Sequence, residues 1–146
     1  MTIHSASTPN DLRRIYPVVH ELRPHLTEEQ FIAQAQRQAD SQDYLLIYVE
    51  VSGGNVAGVA GYRPVEMLHW GKVLYIDDLV TAQTHRGQGV ADHLFNYIVN
   101  QARKQRLDAV HLDSGTHAGR WDAHRFYLKH GMNITSYHFV LNLKQT

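Results

Sequence analysis

Apolar positions along this chain switch between two periods. Leu12, Ile15, Val18, Val19 and Leu22 recur at helical spacing, which predicts an amphipathic helix. Thr8 as N-cap, Pro9 at the first helical position and Asp11 as capping-box partner mark its start. Pro17 lies inside the pattern and is expected to kink or interrupt the helix, because it lacks the N–H for an i→i−4 bond. After loop residues 23–26, Thr27 with Glu28, Glu29 and Gln30 signals a second helix reaching about Asp40, with Phe31, Ala35 and Ala39 on its apolar side. Residues 3–5 predict a short strand ahead of both.

The period then shortens. Residues 44–51 are rich in aromatic and branched side chains, Ser52, Gly53, Gly54 and Asn55 form a turn, and residues 56–65 resume the pattern, which predicts an antiparallel hairpin. A connection through His69 and Trp70 leads to a strand at residues 72–81. After it Val90, Ala91, Leu94, Phe95, Ile98, Val99 and Ala102 line one helical face, opposite Asp92, Asn96, Asn100, Arg103 and Lys104. A strand over residues 109–113 completes a β-α-β unit with parallel strands. A last helix is predicted near residues 121–130 and a final strand over residues 134–143. The order β-α-α-β-β-β-α-β-α-β describes an α/β mixed sheet, and 146 residues fit one domain, residues 1–146.

Composition narrows the function classes. Lys plus Arg and Asp plus Glu both total 14, so net charge marks no nucleic-acid or polyanion binder. Cysteine is absent, which removes disulfides and thiolate metal sites and suits a reducing cytosol. Residues 1–5 show no basic region followed by an apolar core, and no apolar run suits a membrane span, so a cytoplasmic protein is expected. The 11 histidines form neither H-E-x-x-H nor H-x-H, and no metal is expected.

Arg86, Gly87, Gln88, Gly89, Val90 and Ala91 stand where a strand passes into a helix. A helix N-terminus offers unpartnered N–H groups and the positive end of the macrodipole, so an anion is the natural guest. Glycines there let the chain turn and an anion approach closely. A dinucleotide fingerprint would place glycine at position 92, which is Asp92, and a P-loop would place Lys and Ser or Thr after Gly89, where Val90 and Ala91 stand. The remaining pattern, Arg/Gln-x-x-Gly-x-Gly/Ala over Arg86, Gly89 and Ala91, resembles the pyrophosphate motif of the GNAT superfamily of acyl-CoA-dependent N-acyltransferases. Downstream, Ala123, Phe126, Tyr127 and Gly131, followed by Met132, resemble that superfamily's A-x-x-F-Y-x-x-x-G-F segment. The resemblance is close over residues 72–132 and loose before them.

The resemblance implies the GNAT fold, a mixed twisted sheet with splayed central parallel strands flanked by helices. It implies acetyl-CoA as cosubstrate, held by Leu79, Val80, Thr81, Arg86, Gly87, Gln88, Gly89, Val90, Ala91 and Phe126. Arg120, where many relatives carry Asn, is expected to reach a CoA phosphate. It also implies that Tyr127 protonates the departing thiolate; the alternative for Tyr127 is a core side chain on the face of Ala123, Phe126 and His130. Asp77 corresponds to a glutamate that helps deprotonate the amine in some relatives, and is one methylene shorter. Asp77 and Asp78 should point to opposite sheet faces unless a bulge intervenes, and Asp78, Asp113 or water are other bases.

The function expected is transfer of acetyl from acetyl-CoA to a primary amine, small molecule or peptide amino group, by direct attack in a ternary complex. No enzyme nucleophile is required, so the lack of cysteine is no obstacle. Acceptor specificity is expected around His20, Glu21, Arg23 and His25 and around His69 and Trp70. The alternative is a non-catalytic acyl-CoA-binding regulatory module. No nucleic acid or membrane partner is expected, and a homodimer stays open.

Overall fold

The computed structural model describes residues 1–144. Its chain falls into two compact units, Met1–Leu112 and Asp113–Thr146, taken in turn.

In the first unit, β1 (Thr2–Ser5) leads to helix α1 (Pro9–Leu22). The capping box forms as the sequence predicts: the Asp11 N–H donates to Thr8 Oγ1 and the Thr8 N–H donates to Asp11 Oδ2, each at 3.1 Å. Of the two outcomes expected at Pro17, interruption does not occur, and α1 runs through it to Leu22. Burial of Leu12, Ile15, Val18 and Val19 on one stripe offsets the lost backbone bond. Helix α2 (Glu28–Gln42) starts at a second reciprocal cap between Thr27 and Gln30 and ends at Asp43 in the left-handed region.

β2 (Leu45–Val51), β3 (Asn55–Met67), β4 (Gly71–Thr81) and β5 (Ala109–Leu112) complete a sheet in the order β1-β2-β3-β4-β5. All neighbours are antiparallel except β4 and β5, which are parallel. Between them lies helix α3 (Val90–Lys104), burying Val90, Leu94, Phe95, Ile98 and Ala102. A core of Leu12, Ile15, Val19, Phe31, Leu46 and Val59 joins α1 and α2 to the sheet. Leu46 and Val59 alternate with residues facing α3: a Cβ on Gly58 would lie 2.5 Å from Val90 Cγ1.

The β4–β5 ladder stops at the Ile76–Leu112 pair, whereas β4 continues to Thr81 along β3. β5 ends there, so residues 77–81 of β4 carry no ladder on that edge among the described residues.

The second unit contains a 3₁₀ turn (Ala118–Arg120) and helix α4 (Trp121–Lys129). The strand predicted over residues 134–143 is not formed; the segment has no ladder partner among the described residues. Alternation supplies one apolar face, but a strand also needs a neighbouring backbone. Tyr137, Phe139 and Leu141 are exposed, Phe139 by 90%. No described helix is long and apolar enough to cross a membrane.

Candidate active site

A carboxylate in an apolar strand needs partners, and β4 carries two. Gly61 pairs with Asp78 and Tyr62 with Ile76, so Asp77 is the extra residue of a β-bulge. The bulge suspends the alternation that would send the two side chains to opposite faces. Val59, Gly61 and Arg63 follow one another at alternate positions of β3, on the side of the α1–α2 core. Both carboxylates find partners on that side, Asp77 at Arg63 and Asp78 at Tyr44 and Arg23.

Arg63 Nε stands 3.0 Å from each oxygen of Asp77. Its guanidinium lies over the Tyr75 ring, 5.1 Å from the centroid, and Trp70 stacks on His111 at 3.9 Å and on Tyr75 at 6.2 Å. Burial pushes the Asp77 carboxyl above its ordinary value; Arg63 opposes this, and the Asp78 charge adds to it. For Asp78, the Tyr44 hydroxyl donates to Oδ2 at 2.5 Å and Arg23 Nε to Oδ1 at 2.9 Å. Arg23 also donates to the Asp77 carbonyl at 3.1 Å. Burial first, and then the Asp78 charge, pushes the Tyr44 hydroxyl well above its ordinary pKa. Tyr44 reaches Asp78 because position 61 is glycine: a Cβ there would lie 1.8 Å from the Tyr44 oxygen.

Asp78 fronts a cavity of about 300 Å³ between α1, α2 and the sheet. Leu22, Leu26, Phe31, Leu46, Val59 and Val80 form its apolar walls, while Arg23, His25, Gln34 and Gln38 add polar groups. Of the residues expected to select an acceptor, the structure brings Arg23 and His25 here. His20 instead meets the Tyr16 hydroxyl at 3.1 Å, and Glu21 accepts the Gln83 N–H at 2.9 Å. Trp70 belongs to the aromatic stack.

Beyond Thr81 the chain turns through Gln83–His85 and reaches Arg86, Gly87, Gln88 and Gly89, all exposed. Gly87 and Gly89 hold φ of 75° and 80°, the left-handed region that glycine enters without penalty. Gly89 is the N-cap of α3, and a Cβ on either glycine would meet nothing within 4 Å. The first intrahelical bond runs from the His93 N–H to Gly89 O, so the N–H groups of Val90 and Ala91 have no intrahelical acceptor. The turn thus fits a pyrophosphate on geometry as well as sequence. Leu79, Val80 and Thr81 lie on the stretch of β4 beyond the end of β5.

In the second unit, Tyr127 lies on the half-buried face of α4 with Ala123, Phe126 and His130. Burial raises its hydroxyl above the ordinary value, opposed by the charge and hydrogen bond of Arg120. Arg120 therefore serves the Tyr127 hydroxyl, a role the sequence did not suggest for it. The Phe126 ring packs edge-on to Tyr127 at 5.7 Å. Asp113 faces His138 at 3.6 Å, and Arg125 pairs with Asp122 at 2.9 Å. Among the described residues no group of three or more His, Asp or Glu side chains is set to hold a metal ion.

Sequence reasoning missed Tyr44, Gly61 and Arg63. The signal for Arg63 was present: two carboxylates in an apolar strand demand a cation from the neighbouring strand of the same sheet. No local signal marks Tyr44.

A sequence model of the Acetyltransferase (GNAT) family matches residues 8–132. The chain is 35% identical over 125 residues to a Bacillus subtilis (strain 168) protein called uncharacterized N-acetyltransferase YhdJ, covering 85% of this chain and 86% of that one. A transcriptional regulator from Bacillus halodurans C-125 superposes with a TM-score of 0.81 at 19% identity, over 97% of this chain and 99% of that one. A putative acetyltransferase from Agrobacterium tumefaciens str. C58 gives 0.80 at 20% identity, again over 97% and 99%. The two structural likenesses speak to the fold.

Proposed function

The chain belongs to the GNAT acetyltransferase family, and from that membership we propose that it is an acetyl-CoA-dependent N-acetyltransferase acting on a primary amine in the cytoplasm. The observation that carries the cosubstrate is the left-handed glycine turn at the start of α3, directly after a stretch of β4 whose far edge has no ladder partner among the described residues. Backbone N–H groups at Gly87, Gly89, Val90 and Ala91, with Arg86 and Gln88 beside them, hold the pyrophosphate. Leu79, Val80 and Thr81 present their backbone to the pantetheine. Acetyl-CoA supplies a thioester whose C–S bond breaks as the amine nitrogen forms the C–N bond.

The protein's own groups manage the protons. Asp77, its carboxyl raised in pKa by burial, takes the amine proton directly or through water, while Asp78 faces the amine. Tyr127 stays protonated at neutral pH, its pKa raised by burial, and donates to the leaving thiolate. Arg120 orients that hydroxyl. Attack is direct, in a ternary complex.

The test is release of free CoA thiol from acetyl-CoA in the presence of primary amines. Tyr127→Phe keeps the ring and removes the hydroxyl, and should lower kcat about 10- to 100-fold, the low end of general-acid effects because a thiolate is a fair leaving group. Acetyl-CoA affinity should stay near wild type. Wild-type kcat in a folded Tyr127→Phe protein would return the residue to a packing role. Acetyl-CoA binding without any thiol release would instead support a regulatory module.

A further inference from the structure

The cavity in front of Asp78 carries one carboxylate, already paired with Arg23, and its apolar walls of Leu22, Leu26, Phe31, Leu46, Val59 and Val80 stand beside the polar side chains of His25, Gln34 and Gln38; that charge pattern describes its occupant. We propose that this cavity is the acceptor site and that the acceptor is a compact primary amine with an apolar body and no second charge. This rests on the acetyltransferase reading.

The first argument is charge. Asp78 and Arg23 cancel one another across 2.9 Å, and Asp78 is the acidic group among the lining residues. Its oxygens accept from Arg23 and Tyr44 and retain lone-pair sites for an amine N–H, since a carboxylate offers about four. A second cation, as in a polyamine or a lysyl peptide, would meet no second carboxylate among the lining residues, at a desolvation cost that His25, Gln34 and Gln38 do not offset with charge. An acceptor carboxylate fares no better, because Arg23 is already engaged by Asp78 and by the Asp77 carbonyl.

The second argument is size. A volume of about 300 Å³ corresponds to roughly ten water volumes of ~30 Å³ each, enough for a phenyl ring on a two-carbon amine. The ring would lie against Phe31, Leu26 and Val59, with the nitrogen at Asp78. Val80 lines the same cavity and belongs to the stretch of β4 assigned to pantetheine, so nitrogen and acetyl group meet at one end. C–N bond formation and C–S cleavage then yield the N-acetylamine and free CoA thiol, with the amine proton leaving through the carboxylates.

The experiment measures thiol release by the full chain with acetyl-CoA and a panel of phenethylamine, isoamylamine, phenylalanine, spermidine and a lysyl peptide. The two apolar amines should give the highest kcat/KM. Ala35→Leu, which fills the cavity from α2, should lower kcat/KM for phenethylamine about 10-fold or more and leave the thermal shift by acetyl-CoA intact. Should Ala35→Leu fail to fold, Gln34→Trp fills the cavity from an exposed position and should act in the same direction. A preference for spermidine, phenylalanine or the peptide overturns the proposal and leaves the acetyltransferase reading standing. So does an unchanged phenethylamine kcat/KM in a folded cavity-filling variant. An acetyl-CoA shift without thiol release from any amine overturns both readings.

Discussion

Asp77 and Asp78 are neighbours in the chain and answer to different partners. Arg63 holds Asp77, at a side-chain exposure of 21%, while Tyr44 and Arg23 hold Asp78. Because burial raises the Asp77 pKa, its base form appears at higher pH than that of an ordinary aspartate. The acidic limb of kcat/KM should therefore lie above that of an ordinary aspartate and vanish in Asp77→Asn, with the loss largest at the pH values where the wild-type carboxylate is ionised and CoA binding nearly unchanged. An unchanged pH–rate profile would move the base to Asp78 or water. The same shift acts on stability: the folded chain holds this proton more tightly than the unfolded chain, so the stabilisation it gives on the acid side is lost as pH rises through the raised folded value. Residue by residue, the sequence points to candidate groups, through carboxylates in an apolar strand and a tyrosine on a helix. It does not show who holds them, because Tyr44 meets Asp78 only after the hairpin folds and only with glycine at position 61.

Helices α1, α2 and α3 were legible because their signals are local. Thr8 with Asp11 and Thr27 with Gln30 close reciprocal caps within one turn, and an apolar stripe needs no distant partner to be seen. Pro17 does not interrupt α1, since burial of the α1 stripe outweighs one missing bond. The bulge at Asp77 was open in the sequence, for it is fixed by the β3–β4 register. The glycine turn ahead of α3 is the proposed pyrophosphate site, and it yields a sharp test. Gly89→Glu places a side chain in the left-handed region and a negative charge beside the N–H groups at the start of α3, so it should abolish stabilisation by CoA while the apo protein still melts cooperatively. Retained CoA affinity in that folded variant would place the pyrophosphate elsewhere.

Over the whole molecule, the mixed sheet and its order of elements followed from the alternation of periods, and the family assignment agrees with them. The segment over residues 134–143 departs from expectation because strand formation is a property of pairs, and periodicity sees one member only. The central claim is that this chain is built around acetyl-CoA, and thermal melting with and without ligand tests it most directly. At about 100 times its dissociation constant acetyl-CoA should add roughly 2.7 kcal/mol, which for a domain of this size raises Tm on the order of 5 °C. NAD and ATP at the same concentration should shift it far less. A Tm unmoved by millimolar acetyl-CoA but raised by NAD or ATP would contradict the account.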